Sequence, residues 1–128
     1  MRAFQIHTYH AAVGGGLPPE GKFVRLQWQA ATHLLFAPPE RCTYHNQIVA
    51  QFLEDRALEH DWLSPDRLEI HAPGIVVQGG GRFRADAGRA TLELWDRSTA
   101  YGRFAAEGLA AGIRAAGHAW SDYRVIIR

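Results

Sequence analysis

The sequence has little of several features that define whole classes of protein. Its single cysteine, Cys42, excludes an internal disulfide and a cysteine-rich zinc site. No stretch approaches the about 18 apolar residues of a membrane-spanning helix, and residues 1–10 lack the apolar run of a signal peptide. A formal net charge of +1 leaves no field of one sign to attract a nucleic acid or a membrane. We therefore expect a cytoplasmic protein that binds neither.

Lysine is equally scarce. Lys22 is the only lysine, whereas the other 13 of the 14 basic residues are arginine. A lone lysine in an arginine-rich chain is a candidate functional residue.

His7 and His10 lie three positions apart in a predicted strand, so their side chains point to opposite faces and do not predict a metal site. We expect no metal and no cofactor.

The apolar pattern predicts one domain over residues 1–128. Its 47% hydrophobic and 21% charged fractions are those of an ordinary globular protein. Alternating or continuous apolar stretches predict strands over residues 3–10, 22–28, 32–36, 67–78, 91–95 and 123–128. Helical spacing predicts one helix within residues 40–60 and a second over residues 103–116. This order is typical of an α/β (α+β-like) fold, a single domain with a mixed central β-sheet and two main helices.

The first helix carries a histidine near its beginning. His45 follows Thr43, a plausible cap, and precedes an apolar stripe that starts at Ile48. Unpaired N–H groups and the helix dipole at this end favour a neutral imidazole and bind anions. Such a histidine is a candidate general base or nucleophile. Position alone is more typical of a surface residue, so the inference needs a second signal.

The second helix is preceded by a polar loop, Asp96 to Gly102. The loop follows the strand 91–95 and leads through the helix to the last strand, which has the form of a right-handed crossover. Ligands bind in open α/β sheets at such a position, beyond the carboxyl end of a strand and at the start of a helix. The two helix heads, one with His45 and one with Ser98, are therefore predicted to face a common pocket.

Four features together resemble the Janus/Ocnus family of phosphohistidine phosphatases. Tyr44-His45 is similar to the family's Tyr-His, whose histidine is catalytic. Gly79-Gly80-Gly81-Arg82 is similar to its Gly-Gly-Gly-Arg between two central strands, and residues 98–102 are similar to its Ser-x-Ala-Tyr-Gly before the second helix. Lys22 stands at the start of a strand where the family carries a phosphate-binding lysine. The four occur in the family's order.

The resemblance implies metal-independent hydrolysis of the P–N bond of phosphohistidine. His45 would act as general base or as nucleophile, and Lys22 would bind the phosphoryl group as a point charge. The backbone amides near His45 and those of Ser98 and Ala100 would form an anion cradle, to which the Ser98 hydroxyl adds a donor. The phosphate- and substrate-binding residues implied are Lys22, Asn46, Arg82, Ser98, Thr99 and Ala100.

The sequence leaves several alternatives open. The family often has an arginine just before the first helix, and here Arg41 or Arg82 could take its place. The domain could be a non-catalytic module that recognises phosphohistidine, a hydrolase of another phosphoramidate such as phospholysine, or a small ligand-binding domain whose histidines are incidental. The expected partner is a phosphohistidine-containing protein or a phosphorylated small molecule. No heptad or apolar stripe calls for a second subunit, so a monomer is expected.

Overall fold

The computed structural model describes residues 3–9 and 16–128. Within them, six strands form one mixed sheet, two form a separate hairpin, and two segments are α-helical. In chain order the elements are β1 (Ala3–Thr8), β2 (Glu20–Trp28), β3 (Ala31–Ala37), α1 (His45–Asp55), β4 (His60–Ser64), β5 (Arg67–Ile70), β6 (Val76–Asp86), β7 (Thr91–Trp95), α2 (Leu109–Ala115) and β8 (Arg124–Ile127). The predicted α+β domain with a mixed sheet and two helices is confirmed.

The sheet has the strand order β1-β3-β2-β6-β7-β8. The four central strands pair antiparallel, whereas β1 joins β3 and β8 joins β7 in parallel. The parallel β7-to-β8 connection through α2 confirms the predicted crossover. Strands β2 and β6 lie at the centre, so each of them has a neighbouring strand along both edges.

Each face of the sheet has its own apolar core, because alternate residues of a strand point to opposite faces. One core, around Phe36, Phe83 and Trp120, lies on the side of α2. The other packs the apolar stripe of α1, including Ile48 and Phe52, against β2 and β3. All seven residues of β3 are buried, as expected for a strand covered on both faces.

Helix α1 lies within the predicted segment. It begins at His45, which was predicted in or near the first turn, and ends at Asp55, after which Ala57 adopts a left-handed φ of 52°. The cap expected from Thr43 is wrong, since Tyr44 occupies the N-cap position. The side-chain carbonyl of Gln47 accepts hydrogen bonds from the backbone N–H groups of Thr43 (2.8 Å) and Tyr44 (3.0 Å). A glutamine three residues into the helix therefore fixes its first turn.

Helix α2 is shorter than the predicted 103–116. It begins after Gly108, whose φ is 71°, and Gly117 with a φ of 69° follows it, as predicted for a helix end. The residues before it continue the sheet instead: Arg103 bridges to Gly80, and Ala105 N donates to Gln78 O at 3.0 Å. Pairing with β6 therefore overrides the helical pattern in this segment.

The stretch predicted as one strand over residues 67–78 is divided. Residues 67–70 pair with β4, an element that the sequence did not predict, and residues 65–66 form the turn between them. The glycines 79–81 do not separate two strands, because they lie inside the continuous strand β6. The pairing register of β2 with β6 shifts between Val24 and Leu26, which indicates a β-bulge next to these glycines.

Two further observations complete the fold. His10 lies outside the described residues, so its predicted orientation relative to His7 is not observed. Over residues 3–9 and 16–128, neither helix has the length and apolar character needed to cross a membrane.

Candidate active site

His45 is the first residue of α1 and is buried against the central strand β6. Its side chain is held by a hydrogen bond of 2.9 Å between Nε2 and the carbonyl oxygen of Gly81. A carbonyl only accepts, so Nε2 carries the proton and donates it. The lone pair of the neutral ring is therefore on Nδ1, which bonds to none of the residues that the structure describes.

The glycines of β6 make this close approach possible. A Cβ atom placed on Gly80 would lie 2.7 Å from His45 Cδ2 and 3.2 Å from Nε2, and 2.5 Å from the Phe23 carbonyl oxygen. The Cδ2–Nε2 edge of the imidazole thus rests directly on the strand backbone. Nδ1 lies on the opposite side of the ring, away from β6.

The surroundings of His45 favour the neutral ring. Burial is the main cause that lowers its pKa, and the positive charges of Lys22 and Arg82 lower it further. The hydrogen bond to Gly81 and the negative charge of Asp96 oppose these effects but do not reverse them. His45 is accordingly a neutral base at pH 7, as its helix-head position predicts.

A cleft of about 710 Å³ opens beside the imidazole. The beginning of α1 and the loop after β7 meet there, together with one residue each of β2, β6 and the β4–β5 turn. Its lining consists of Lys22, Tyr44, His45, Asn46, Asp66, Arg82, Asp96, Arg97, Ser98, Thr99 and Ala100. All seven site residues predicted from the sequence line this one cleft.

Lys22 is held in a defined position at the edge of the cleft. Its ammonium nitrogen donates to the carbonyl oxygen of Thr43 at 2.6 Å and lies 5.6 Å from the centre of the Tyr44 ring. Both contacts are to the segment that leads into His45. The positive charge is thus fixed next to the head of α1 and retains N–H groups for a further acceptor.

Backbone amides add donors from two directions. The N–H groups of His45 and Asn46 belong to the first turn of α1, where a helix offers no internal partner. The N–H groups of Thr99 and Ala100 also bond to none of the described residues. The residues that carry these four amides line one cleft, an arrangement suited to an anion cradle.

The resemblance implied that the backbone N–H of Ser98 belongs to the anion cradle, but this N–H is already paired within the protein. Its backbone N–H donates to Gly102 O at 3.0 Å, and its hydroxyl oxygen accepts from Tyr101 N at 3.1 Å. These bonds, with Gly102 N to Ser98 O at 2.8 Å, close residues 98–102 into a tight loop. Ser98 is wholly buried and shapes the loop that presents Thr99 and Ala100. The cradle amides are therefore those of Thr99 and Ala100, not of Ser98.

The structure also shows the contacts of Asn46 and which of the two candidate arginines lines the cleft. The side chain of Asn46 is buried, and its Nδ2 donates to the carbonyl oxygen of Asp66 at 2.9 Å, which ties α1 to the β4–β5 turn. Arg82, not Arg41, brings a guanidinium to the cleft. Arg41 instead donates to the side-chain oxygen of Gln51 at 3.1 Å.

The cleft also contains acidic residues that the sequence reasoning did not select. Asp96 directly follows β7, and its Oδ2 lies 3.1 Å from Arg82 Nε. Its place at the carboxyl end of a strand was a usable signal. Asp66 reaches the cleft only through the folding of the β4–β5 hairpin onto α1, for which the sequence offers no local sign.

The described residues contain no group of three or more histidine, cysteine, aspartate or glutamate side chains placed to hold a metal ion. The groups that line the cleft include the imidazole of His45, three cationic side chains and two carboxylates. In comparisons with known proteins, no family model matches the chain and no curated protein matches it.

Proposed function

We propose that this protein hydrolyses the P–N bond of phosphohistidine in proteins. The observation that carries the proposal is the environment of His45. Its Nε2 donates to Gly81 O, which leaves the lone pair of the neutral ring on Nδ1, and His45 shares its cleft with Lys22 and Arg82. A base or nucleophile next to a cationic cradle matches the requirements of phosphoryl transfer.

The reaction requires few further catalytic groups from the protein. Imidazole is a good leaving group, so phosphoryl transfer depends on positioning and on charge stabilisation in the transition state. Lys22, Arg82 and the amides of Thr99 and Ala100 would hold the phosphoryl oxygens. His45 would either remove a proton from the attacking water or accept the phosphoryl group on Nδ1.

A polypeptide fits the surroundings of the site as carrier of the phosphoryl group. A neighbouring cleft of about 410 Å³ shares Lys22 and Arg82 with the first and is lined partly by Trp95 and Pro39. It offers apolar surface next to the proposed phosphoryl position. A protein substrate could place residues that flank its phosphohistidine there. The proposal includes a cytoplasmic location, where such substrates would be met.

The test is phosphate release from a phosphohistidine-containing peptide by the purified protein with a chelator present. We expect catalytic turnover that the chelator does not reduce. Binding of the peptide without turnover would instead identify a recognition module that uses the same cradle. Turnover of phospholysine but not of phosphohistidine would assign a different phosphoramidate. Loss of turnover with chelator, restored by a divalent cation, would contradict metal independence.

A further inference from the structure

Asp96 is an unexpected residue for a site that binds a phosphoryl dianion. It is rigidly placed: Arg82 Nε lies 3.1 Å from its Oδ2, and Arg103 Nη1 donates to its backbone oxygen at 3.2 Å. Its φ is 71°, a left-handed conformation that aspartate, asparagine and glycine adopt most readily. A carboxylate held in this way next to an anion cradle would repel an ordinary phosphate ester.

One oxygen of this carboxylate remains open to a ligand. Oδ2 faces Arg82, whereas Oδ1 bonds to nothing within residues 3–9 and 16–128, and Asp96 is exposed to the cleft. The carboxylate also acts on His45, where its charge opposes the lowering of the pKa. An acceptor thus stands close to the reacting centre, and it requires a ligand that carries a donor beside its phosphoryl group.

Protonated phosphoramidates have that donor. In phosphohistidine the second ring nitrogen can carry a proton, and phospholysine carries N–H on the phosphorylated nitrogen itself. Both combine a phosphoryl dianion with a cationic N–H, which esters of serine or tyrosine lack. We propose that Asp96 accepts a hydrogen bond from this N–H and thereby selects protonated phosphoramidates over phosphate esters.

The balance of charge supports this selection. Three cations, Lys22, Arg82 and Arg97, and two carboxylates, Asp66 and Asp96, line the cleft and leave a formal charge of +1. A phosphoryl dianion joined to one cationic nitrogen has a net charge of −1, which is equal and opposite to the charge of the cleft. An ester dianion has a charge of −2 and exceeds the charge of the cleft. Asp66 is the less suitable acceptor, because the charges that act on His45 include that of Asp96 but not that of Asp66.

The inference rests on the proposed function and gives Asp96 a chemical part in it. Water forms a bond to phosphorus and passes a proton to His45 Nδ1 as the P–N bond breaks. The electron pair of that bond goes to the substrate nitrogen. When the second ring nitrogen is already protonated, the leaving group departs as neutral imidazole. By holding that proton, Asp96 favours the reactive form of the substrate.

The test compares Asp96→Asn with the wild type on two substrate classes. Asparagine keeps the size and tolerates the left-handed φ, so the fold is expected to persist. The kcat/KM for a phosphohistidine peptide should fall about tenfold, as expected for loss of one charge-assisted hydrogen bond, while that for p-nitrophenyl phosphate stays constant or rises. The alkaline limb of the kcat profile should move to lower pH, because the substrate proton is no longer held. Asp61→Asn, which removes an exposed carboxylate outside the cleft, should leave the ratio between the two substrates unchanged.

An equal effect of Asp96→Asn on both substrates would overturn the proposal and reduce Asp96 to a positioning residue for Arg82. A second variant, Asp96→Gly, keeps the backbone conformation and removes the carboxylate, so it should reproduce the change in ratio. Binding gives an independent readout. Asp96→Asn should weaken the affinity for phosphoramidate, a zwitterion, and strengthen that for inorganic phosphate. If the wild type turns over nothing, the proposed function fails, yet these two affinities still decide whether Asp96 selects the protonated nitrogen.

Discussion

At the scale of single residues, the site depends on which nitrogen of His45 carries the proton. The carbonyl oxygen of Gly81 at 2.9 Å decides this, because it can only accept. The sequence predicted a neutral histidine at a helix head, and the structure agrees in the direction of its pKa. The sequence could not predict the tautomer, because Gly81, which accepts the Nε2 proton, lies 36 residues away on β6.

The pH dependence follows from this environment. Burial and the nearby cations lower the pKa of His45 below its ordinary value of 6.5, so the ring stays neutral to lower pH than a free histidine. If the neutral ring is the base, the acidic limb of kcat/KM lies below pH 6.5. Nuclear magnetic resonance titration of the His45 ring should give a matching midpoint. A midpoint at or above 6.5 would contradict the burial of the ring, which is the main cause of the lowered pKa.

Lys22 should contribute affinity more than stability. Its ammonium group has one hydrogen bond of 2.6 Å, to the Thr43 carbonyl, and its remaining donors are free for a phosphoryl oxygen. Lys22→Met keeps the aliphatic chain and is expected to weaken inorganic phosphate binding about tenfold, within the range for a charge-assisted hydrogen bond. Calorimetry measures the affinity and thermal unfolding measures the stability. A large drop in melting temperature without a change in affinity would mark Lys22 as structural.

At the scale of elements, the glycines of β6 and the head of α1 form one unit. The resemblance implied that the three glycines lie between two strands, but the sequence did not predict that they contact a histidine. Gly80 has to be glycine because His45 and the Phe23 carbonyl occupy the space of a Cβ. Similarly, α2 was predicted too long because residues 103–105 have a helical pattern but pair with β6. Long-range pairing of this kind leaves no local signal.

Substitution of Gly80 tests the unit directly. Gly80→Ala should displace the imidazole, lower activity strongly, and cost about 1–3 kcal/mol of unfolding free energy through overpacking. Gly88→Ala is a matched control, because its added Cβ would come no closer than 3.4 Å to Asp86 Oδ1. Chemical denaturation and activity of both variants provide the measurement. Full activity in Gly80→Ala would show that the position of the ring on β6 is unimportant.

At the scale of the whole molecule, a pair of histidines apart from His45 lies in the core on the side of α1. His7 Nε2 and His33 Nδ1 are 3.0 Å apart and join the edge strand β1 to β3. Burial, followed by the charge of Arg56, lowers the pKa of His7 to about 4, and burial lowers that of His33. The sequence could not predict the pair, because His7 and His33 meet only through the parallel register of β1 and β3.

This pair should make stability depend on pH. Between about pH 6.5 and about pH 4 the unfolded chain binds protons that the folded pair does not, so the free energy of unfolding falls as the pH falls. Partial exposure of His7 reduces the effect to on the order of 2 kcal/mol. Urea denaturation at a series of pH values measures it. His7→Gln, whose amide can still donate to His33, should flatten the dependence. An unchanged slope in that variant would place the titrating group elsewhere.

The most direct test of the account is the rate of phosphate release from a phosphohistidine peptide by the wild type and by His45→Gln. His71→Gln, an exposed histidine that pairs with Asp61 outside the cleft, is the control. We predict that turnover by His45→Gln falls by at least about 100-fold, in the range expected for loss of a general base, while the peptide still binds. Turnover by His71→Gln should equal that of the wild type. Near-normal turnover by a folded His45→Gln protein would contradict the assignment of His45 as the catalytic residue.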